Sequence, residues 1–142
     1  MGLSNSARRV VAVSFLEDGS LSCSDGSGPC ACKFVVIDDA VRLHVVFGEV
    51  VRFPYHALLV VKFCERESIA CGWQQRPDMA EIYDPSVKIK GGGMIDIDSR
   101  TKRARVYGAS RAYGFFRPGE VVRALRSSDL FDDYEIEIAD GG

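Results

Sequence analysis

The chain has 142 residues, 46% of them hydrophobic, and a formal net charge of -2 at pH 7. That length suits one compact domain over residues 1–142, and the charge excludes a global attraction to nucleic acid. The longest apolar runs are too short to cross a bilayer, and no continuous apolar signal segment opens the chain, so the expected location is cytoplasmic.

The first expected strand, residues 8–16, is β-branched and apolar and is stopped by Glu17-Asp18-Gly19-Ser20. Residues 20–31 hold Ser, Gly, Asp, Pro and Cys and read as a surface loop. Lys33 to Ile37 reads as a second strand, Asp38-Asp39 as a turn, and Val41 to Val51 as a third β-rich stretch. Residues 1–50 are thus an N-terminal β-rich extension, either a small meander or an added sheet edge. Tyr55 to Phe63 is nearly continuous Leu and Val, the pattern of a strand buried on both faces. Ile69 to Tyr83 reads as another strand, interrupted or at an edge because of Pro77. Asp84-Pro85 and Gly91-Gly92-Gly93 read as breaks. Met94–Asp98 and Arg103–Tyr107 alternate at period two, and the four residues between them predict a hairpin. Pro118 opens a helix over 118–128, with Val121, Val122 and Leu125 on one face. Tyr134 to Ile138 alternates as a last strand. The predicted class is α+β: a mixed or antiparallel sheet with one main helix packed on it, residues 53–140 forming its core.

Five cysteines stand at 23, 30, 32, 64 and 71. The odd count argues against a secreted disulfide framework, so reduced, unrelated thiols are expected. Cys23, Cys30 and Cys32 could offer three thiolates, but their spacing fits no zinc motif and neither histidine is close in sequence. No metal or cofactor is called for. Arg100, Lys102, Arg103 and Arg105 make a basic stripe with two readings. One is a solvated face paired to Asp96 and Asp98 across the hairpin. The other is a patch for an acidic partner or nucleic acid, and sparse aromatic interleaving argues against nucleic acid. Met1-Gly2-Leu3-Ser4-Asn5-Ser6 fits an N-myristoylation pattern, so membrane association is expected only if Gly2 is acylated.

Tyr107-Gly108-Ala109-Ser110-Arg111-Ala112-Tyr113-Gly114 carries the basic strand into a small-residue turn. Such a turn exposes backbone N–H groups, and Ser110 adds a hydroxyl, so it can bind an anion or serve as a tight corner for packing. The segment resembles the phosphate loop of the protein histidine phosphatase family (the Janus/Ocnus family), which reads Y-G-x-S-x-A-Y-G. Gly91-Gly92-Gly93, Ala80-Glu81-Ile82-Tyr83-Asp84 and Asp133-Tyr134-Glu135-Ile136 resemble three further family segments in the same order. The resemblance covers residues 53–140. It implies a histidine-phosphatase-like fold and anion binding by Ser110, Arg111 and Ala112.

The resemblance also places the family's catalytic histidine at Met79, an arginine at Met94, a second arginine at Cys71 and a lysine at His56. A thioether has no proton to exchange and cannot replace imidazole in acid–base work. The resulting expectation is a catalytically inactive member, a phosphate- or phosphoprotein-binding or structural interaction module. Its partner would be an unidentified protein or assembly, or a phosphate or phosphopeptide. The alternative is an active phosphohydrolase of altered mechanism, with His56 as surrogate for the missing imidazole beside the Ser110 loop. His56 has a bland reading too, as a packed structural histidine.

Overall fold

The computed structural model describes residues 9–16, 20–21, 29–74 and 79–139. The Gly2 acylation pattern, Cys23 and Pro77 lie outside the described residues. The elements are β1 (Arg9–Ser14), β2 (Cys30–Asp38), β3 (Arg42–Glu49), α1 (His56–Glu67), β4 (Cys71–Trp73), β5 (Ala80–Ile82), β6 (Lys88–Asp98), β7 (Arg103–Tyr107), α2 (Pro118–Arg126) and β8 (Glu135–Ile138), with a 3-10 turn at Asp129–Phe131. Six strands form one sheet in the order β1-β3-β2-β6-β7-β8. The β1–β3 and β7–β8 pairs are parallel and the other three antiparallel, so the sheet is mixed and the class α+β. β2 and β3 are interior strands of that sheet, and β1 is its edge. β4 and β5 pair with each other, apart from the main sheet.

The sheet carries a helix on each face, not one main helix. On β2, Phe34 and Val36 enter the core that includes Val121 and Leu125 of α2. Val35 and Ile37, pointing the other way, enter the core that includes Leu59, Val60 and Phe63 of α1. Each large apolar side chain buried there contributes roughly 1.5–3 kcal/mol.

The expected strand over 55–63 is therefore corrected to a helix. A continuous apolar run has no period of its own, and the helical period shows only in the longer segment. The buried residues are His56, Ala57, Leu59, Val60, Phe63 and Cys64, at spacings of three and four, while Lys62 and Glu65 to Glu67 are exposed. The helix stops at Ser68, which is left-handed at φ 58, and Ile69 N–H returns to the Cys64 carbonyl at 2.9 Å. The chain then turns straight into β4.

Gly91-Gly92-Gly93 is not a break but the middle of β6. Its glycines admit close neighbours on both sides. A Cβ on Gly92 would stand 2.5 Å from the Phe34 carbonyl oxygen, and one on Gly93 would stand 2.8 Å from that of Tyr107. The hairpin of β6 and β7 matches expectation, and α2 ends at Arg126 with Ala124 buried beside Val121 and Leu125. Residues 69–83 form the two short strands β4 and β5, not one.

Beyond β2, the α1 side of the sheet has no helix over it and turns polar. Register places Asp96 opposite Arg105 and Asp98 opposite Arg103. On β8, Glu135 stands beside Arg103 and Glu137 beside Arg105. Each arginine thus lies between two carboxylates, and Arg103 Nε reaches Glu135 at 3.3 Å. A shallow hollow of about 580 Å³ over these strands is lined by the same matched charges. Arg103 and Arg105 of the basic stripe thus stand among carboxylates on a solvated face.

Cys30 is disulfide-bonded, which corrects the expectation of reduced thiols, while Cys32, Cys64 and Cys71 are free. Among the described residues no group of three or more His, Cys, Asp or Glu side chains could hold a metal ion. No described helix is long and apolar enough to cross a membrane.

Candidate functional site

A cleft of about 250 Å³ opens where the helix-covered half of the sheet meets its open half. Its wall is Lys33, Pro54, Tyr55, His56, Met94, Ala109, Arg111 and Ala112. Four distant stretches of chain supply it. Lys33 comes from β2 on the same face as Val35 and Ile37, and Met94 is its direct neighbour across the ladder on β6. His56 is the first residue of α1, behind Tyr55, whose side chain does not cap the helix. Residues 109–112 come from the turn after β7.

Among the described residues, Lys33 and Arg111 are the two charged side chains of this wall, and no carboxylate lines it. Neither cation has an acidic partner among the described residues. Lys33 Nζ lies 3.9 Å from the Met94 sulfur, a contact that leaves its charge uncompensated. The uncapped start of a twelve-residue helix adds a partial positive charge at the same place.

His56 is 8% exposed. Its Nε2 stands 2.9 Å from the Gly93 carbonyl oxygen, and a carbonyl can only accept, so Nε2 carries the proton. In the neutral ring that leaves a lone pair on Nδ1. Nδ1 has no protein partner among the described residues, and no buried side-chain nitrogen or oxygen there is unsatisfied, so Nδ1 borders solvent. Burial lowers the His56 pKa below its ordinary value, against the raising effect of the Gly93 bond, and the Lys33 charge lowers it further. A neutral, oriented imidazole therefore lies beside two cations that have no acidic partner among the described residues.

The turn after β7 is closed on itself. Ser110 N–H donates to the Gly114 carbonyl at 3.0 Å, and Gly114 N–H donates back to Ser110 at 2.8 Å. The Ser110 hydroxyl oxygen accepts from Tyr113 N–H at 3.1 Å, and Ser110 is 3% exposed. Ser110 thus shapes the turn; its own N–H is engaged inside it. The N–H groups of Arg111 and Ala112 bond nothing among the described residues and lie at the cleft wall. Gly92 explains how these parts meet. Its absent side chain would touch His56 Cδ2 at 3.1 Å and Ser110 Cβ at 3.3 Å, so imidazole and turn both close over that backbone.

The structure thus brings together His56, Arg111 and Ala112 at one wall, with Ser110 beneath them. His56 begins a helix and shares no strand with Leu58 and Val60. Met79 and Cys71 are not part of this wall. The Met79 carbonyl accepts from Gln74 N–H at 2.9 Å, and Cys71 pairs with Ile82 in the β4–β5 hairpin. Met94 does belong to the wall. Lys33 was missed from sequence; the available signal was its parity with Val35 and Ile37 on a strand otherwise apolar on both faces. His44 lies elsewhere, bonded to Asp39 at 3.0 Å and packed on Phe63.

No curated protein gives a match to this sequence. The model of the Janus/Ocnus family matches residues 42–135, a span holding α1, the glycine-lined β6 and the Ser110 turn. On that match, which covers well over half of its length, the chain belongs to the Janus/Ocnus family.

Proposed function

We propose that the cleft is a phosphoryl-binding and phosphoryl-hydrolysing site, and that the protein acts as a protein histidine phosphatase with His56 as its base. The observation that carries this reading is the Nδ1 lone pair of a neutral His56, without a partner among the described residues, in a cleft whose described wall holds two cations without an acidic partner and no carboxylate. The phosphoryl oxygens bind Lys33, Arg111 and the N–H groups of Arg111 and Ala112. Nδ1 takes a proton from a water that attacks phosphorus. The P–N bond of the substrate breaks, the leaving nitrogen takes a proton from solvent, inorganic phosphate departs, and Nδ1 returns its proton to solvent. A positioned base of this kind contributes roughly 10²–10⁴-fold. In this reading the family's histidine is supplied by position 56, and Met79 has no chemical part.

One observation favours a second reading. Met94 sets a thioether in the cleft where the family resemblance calls for an arginine, which lowers the charge available to a transition state. Binding of a phosphorylated partner without turnover would follow.

Turnover of a phosphohistidine peptide by the purified chain separates the two. The active reading expects phosphate release that falls at least about 100-fold in His56→Ala and is unchanged in Met79→Ala. Phosphopeptide binding with no release in the parent chain would establish the second. Absence of both binding and release would remove both.

A further inference from the structure

We propose that Tyr113 is a positioning residue through which the β4–β5 hairpin sets the anion affinity of the cleft. The inference rests on the phosphoryl-binding reading above and adds to it the part of the molecule that holds the binding turn in place.

The Ser110–Gly114 bridge fixes the shape of the turn, but a turn of fixed shape can still tilt. Among the described residues, two contacts outside it set its attitude. On one side Gly92 N–H donates to the Gly114 carbonyl at 3.2 Å. On the other, the phenol of Tyr113 leaves the turn and reaches β5. There Ala80 N–H donates to the phenol oxygen at 2.9 Å, and the phenol hydrogen donates to the Ala80 carbonyl at 2.8 Å. Ala80 is 1% exposed, so both of its backbone groups need partners inside the protein. One hydroxyl supplies both, as a third strand beside β5 would. Only a side chain that donates and accepts at the same oxygen can do this, and phenylalanine loses both bonds.

Through its own N–H, Tyr113 also bonds the Ser110 hydroxyl oxygen at 3.1 Å. One residue therefore ties the turn's interior to an element outside the main sheet. The N–H groups of Arg111 and Ala112 precede it directly in the chain. Where these two residues stand at the cleft wall follows from where Tyr113 is held. Preorganised donors bind better than donors that must be ordered by the ligand. Coupling of this kind is reciprocal, so an anion that holds the turn must also hold Ala80.

The test uses the whole chain and inorganic phosphate, titrated while the Arg111 and Ala112 amides are followed by NMR. Tyr113→Phe is expected to raise the phosphate Kd about tenfold while keeping a dispersed spectrum. Val121→Ala, a destabilising change in the core under α2 and away from the cleft, is expected to leave the Kd unaltered. In the parent chain, phosphate should slow hydrogen exchange at the Ala80 amide, a readout that needs no variant and decides the matter if Tyr113→Phe does not fold. Equal phosphate affinity in parent and Tyr113→Phe, or Ala80 exchange indifferent to phosphate, overturns the positioning role and leaves the cleft assignment standing. No amide shift at Arg111 and Ala112 in the parent chain overturns both.

Discussion

His56 is held neutral by its surroundings, and that has a consequence for stability as well as for chemistry. Its folded pKa lies below the ordinary value of 6.5, first because it is buried. Between those two values the unfolded chain binds the proton and the folded chain does not. Stability therefore falls as pH drops from the unfolded value through the folded one, and the contribution of the neutral ring is complete above the unfolded value. Urea denaturation at pH 7.5, 6.0 and 5.0 should show this loss in the parent chain. His56→Gln can still donate an amide hydrogen to the Gly93 carbonyl but does not titrate, so its stability should decline less over the same range. Equal decline in both would mean that other groups govern the acid response. Under the proposed mechanism, the acid limb of phosphate release should have its midpoint below 6.5, for the same reason.

At the scale of elements, β6 shows how a strand can carry glycines for its neighbours' sake. Gly92→Ala would drive a Cβ against the Phe34 carbonyl oxygen at 2.5 Å, an atom fixed in the β2 ladder, and against His56. It should cost about 1–3 kcal/mol by chemical denaturation and displace the His56 ring signals. Gly119→Ala, on α2 with nothing within 4 Å of the added carbon, should instead be neutral or stabilise by roughly 0.5–1 kcal/mol. A mild effect at Gly92 would mean that β2 and β6 can part without harm. The same strand marks where sequence reading stopped. Alternation made 94–98 and 103–107 legible as a hairpin, because one face is buried and the other wet. Three successive glycines looked like a loop because their reason, the packing of Phe34, His56 and Ser110 against one backbone, is tertiary. α1 was hidden in the opposite way, since Leu58-Leu59-Val60-Val61 satisfies a strand and a helix equally until the charged residues after it are counted. The Ser110 turn was legible as a tight corner from its small residues. His56 could be set beside it from the family resemblance, although as a strand residue and not as the head of a helix; Lys33 could not, since only the sheet order brings β2 beside that turn.

For the molecule as a whole, the cleft is a joint between two halves of one sheet, dry under α1 and wet over β6 and β7. A ligand there touches β2, α1, β6 and the turn after β7 at once. Anything bound to the native arrangement alone stabilises the entire fold by mass action. With an affinity near 1 mM, 50 mM phosphate should add about 2 kcal/mol and raise the melting temperature by roughly 5–10 °C. Phosphate also stabilises proteins through exclusion from their surfaces. The double variant Lys33→Met, Arg111→Met supplies the comparison; a shift of equal size in it would assign the effect to exclusion.

The ladder that sets Lys33 beside Met94 joins residues 61 positions apart in the chain. Pairings of such range form late, because the loop they close must first be ordered. A molecule in which β2 is not yet laid against β6 holds Lys33 apart from Met94 and from the turn after β7, and under the proposed function would bind an anion poorly. If the cleft binds phosphate as proposed, retention on a phosphate-bearing resin should sort finished molecules from merely collapsed ones, which would make the cleft an internal certificate of assembly.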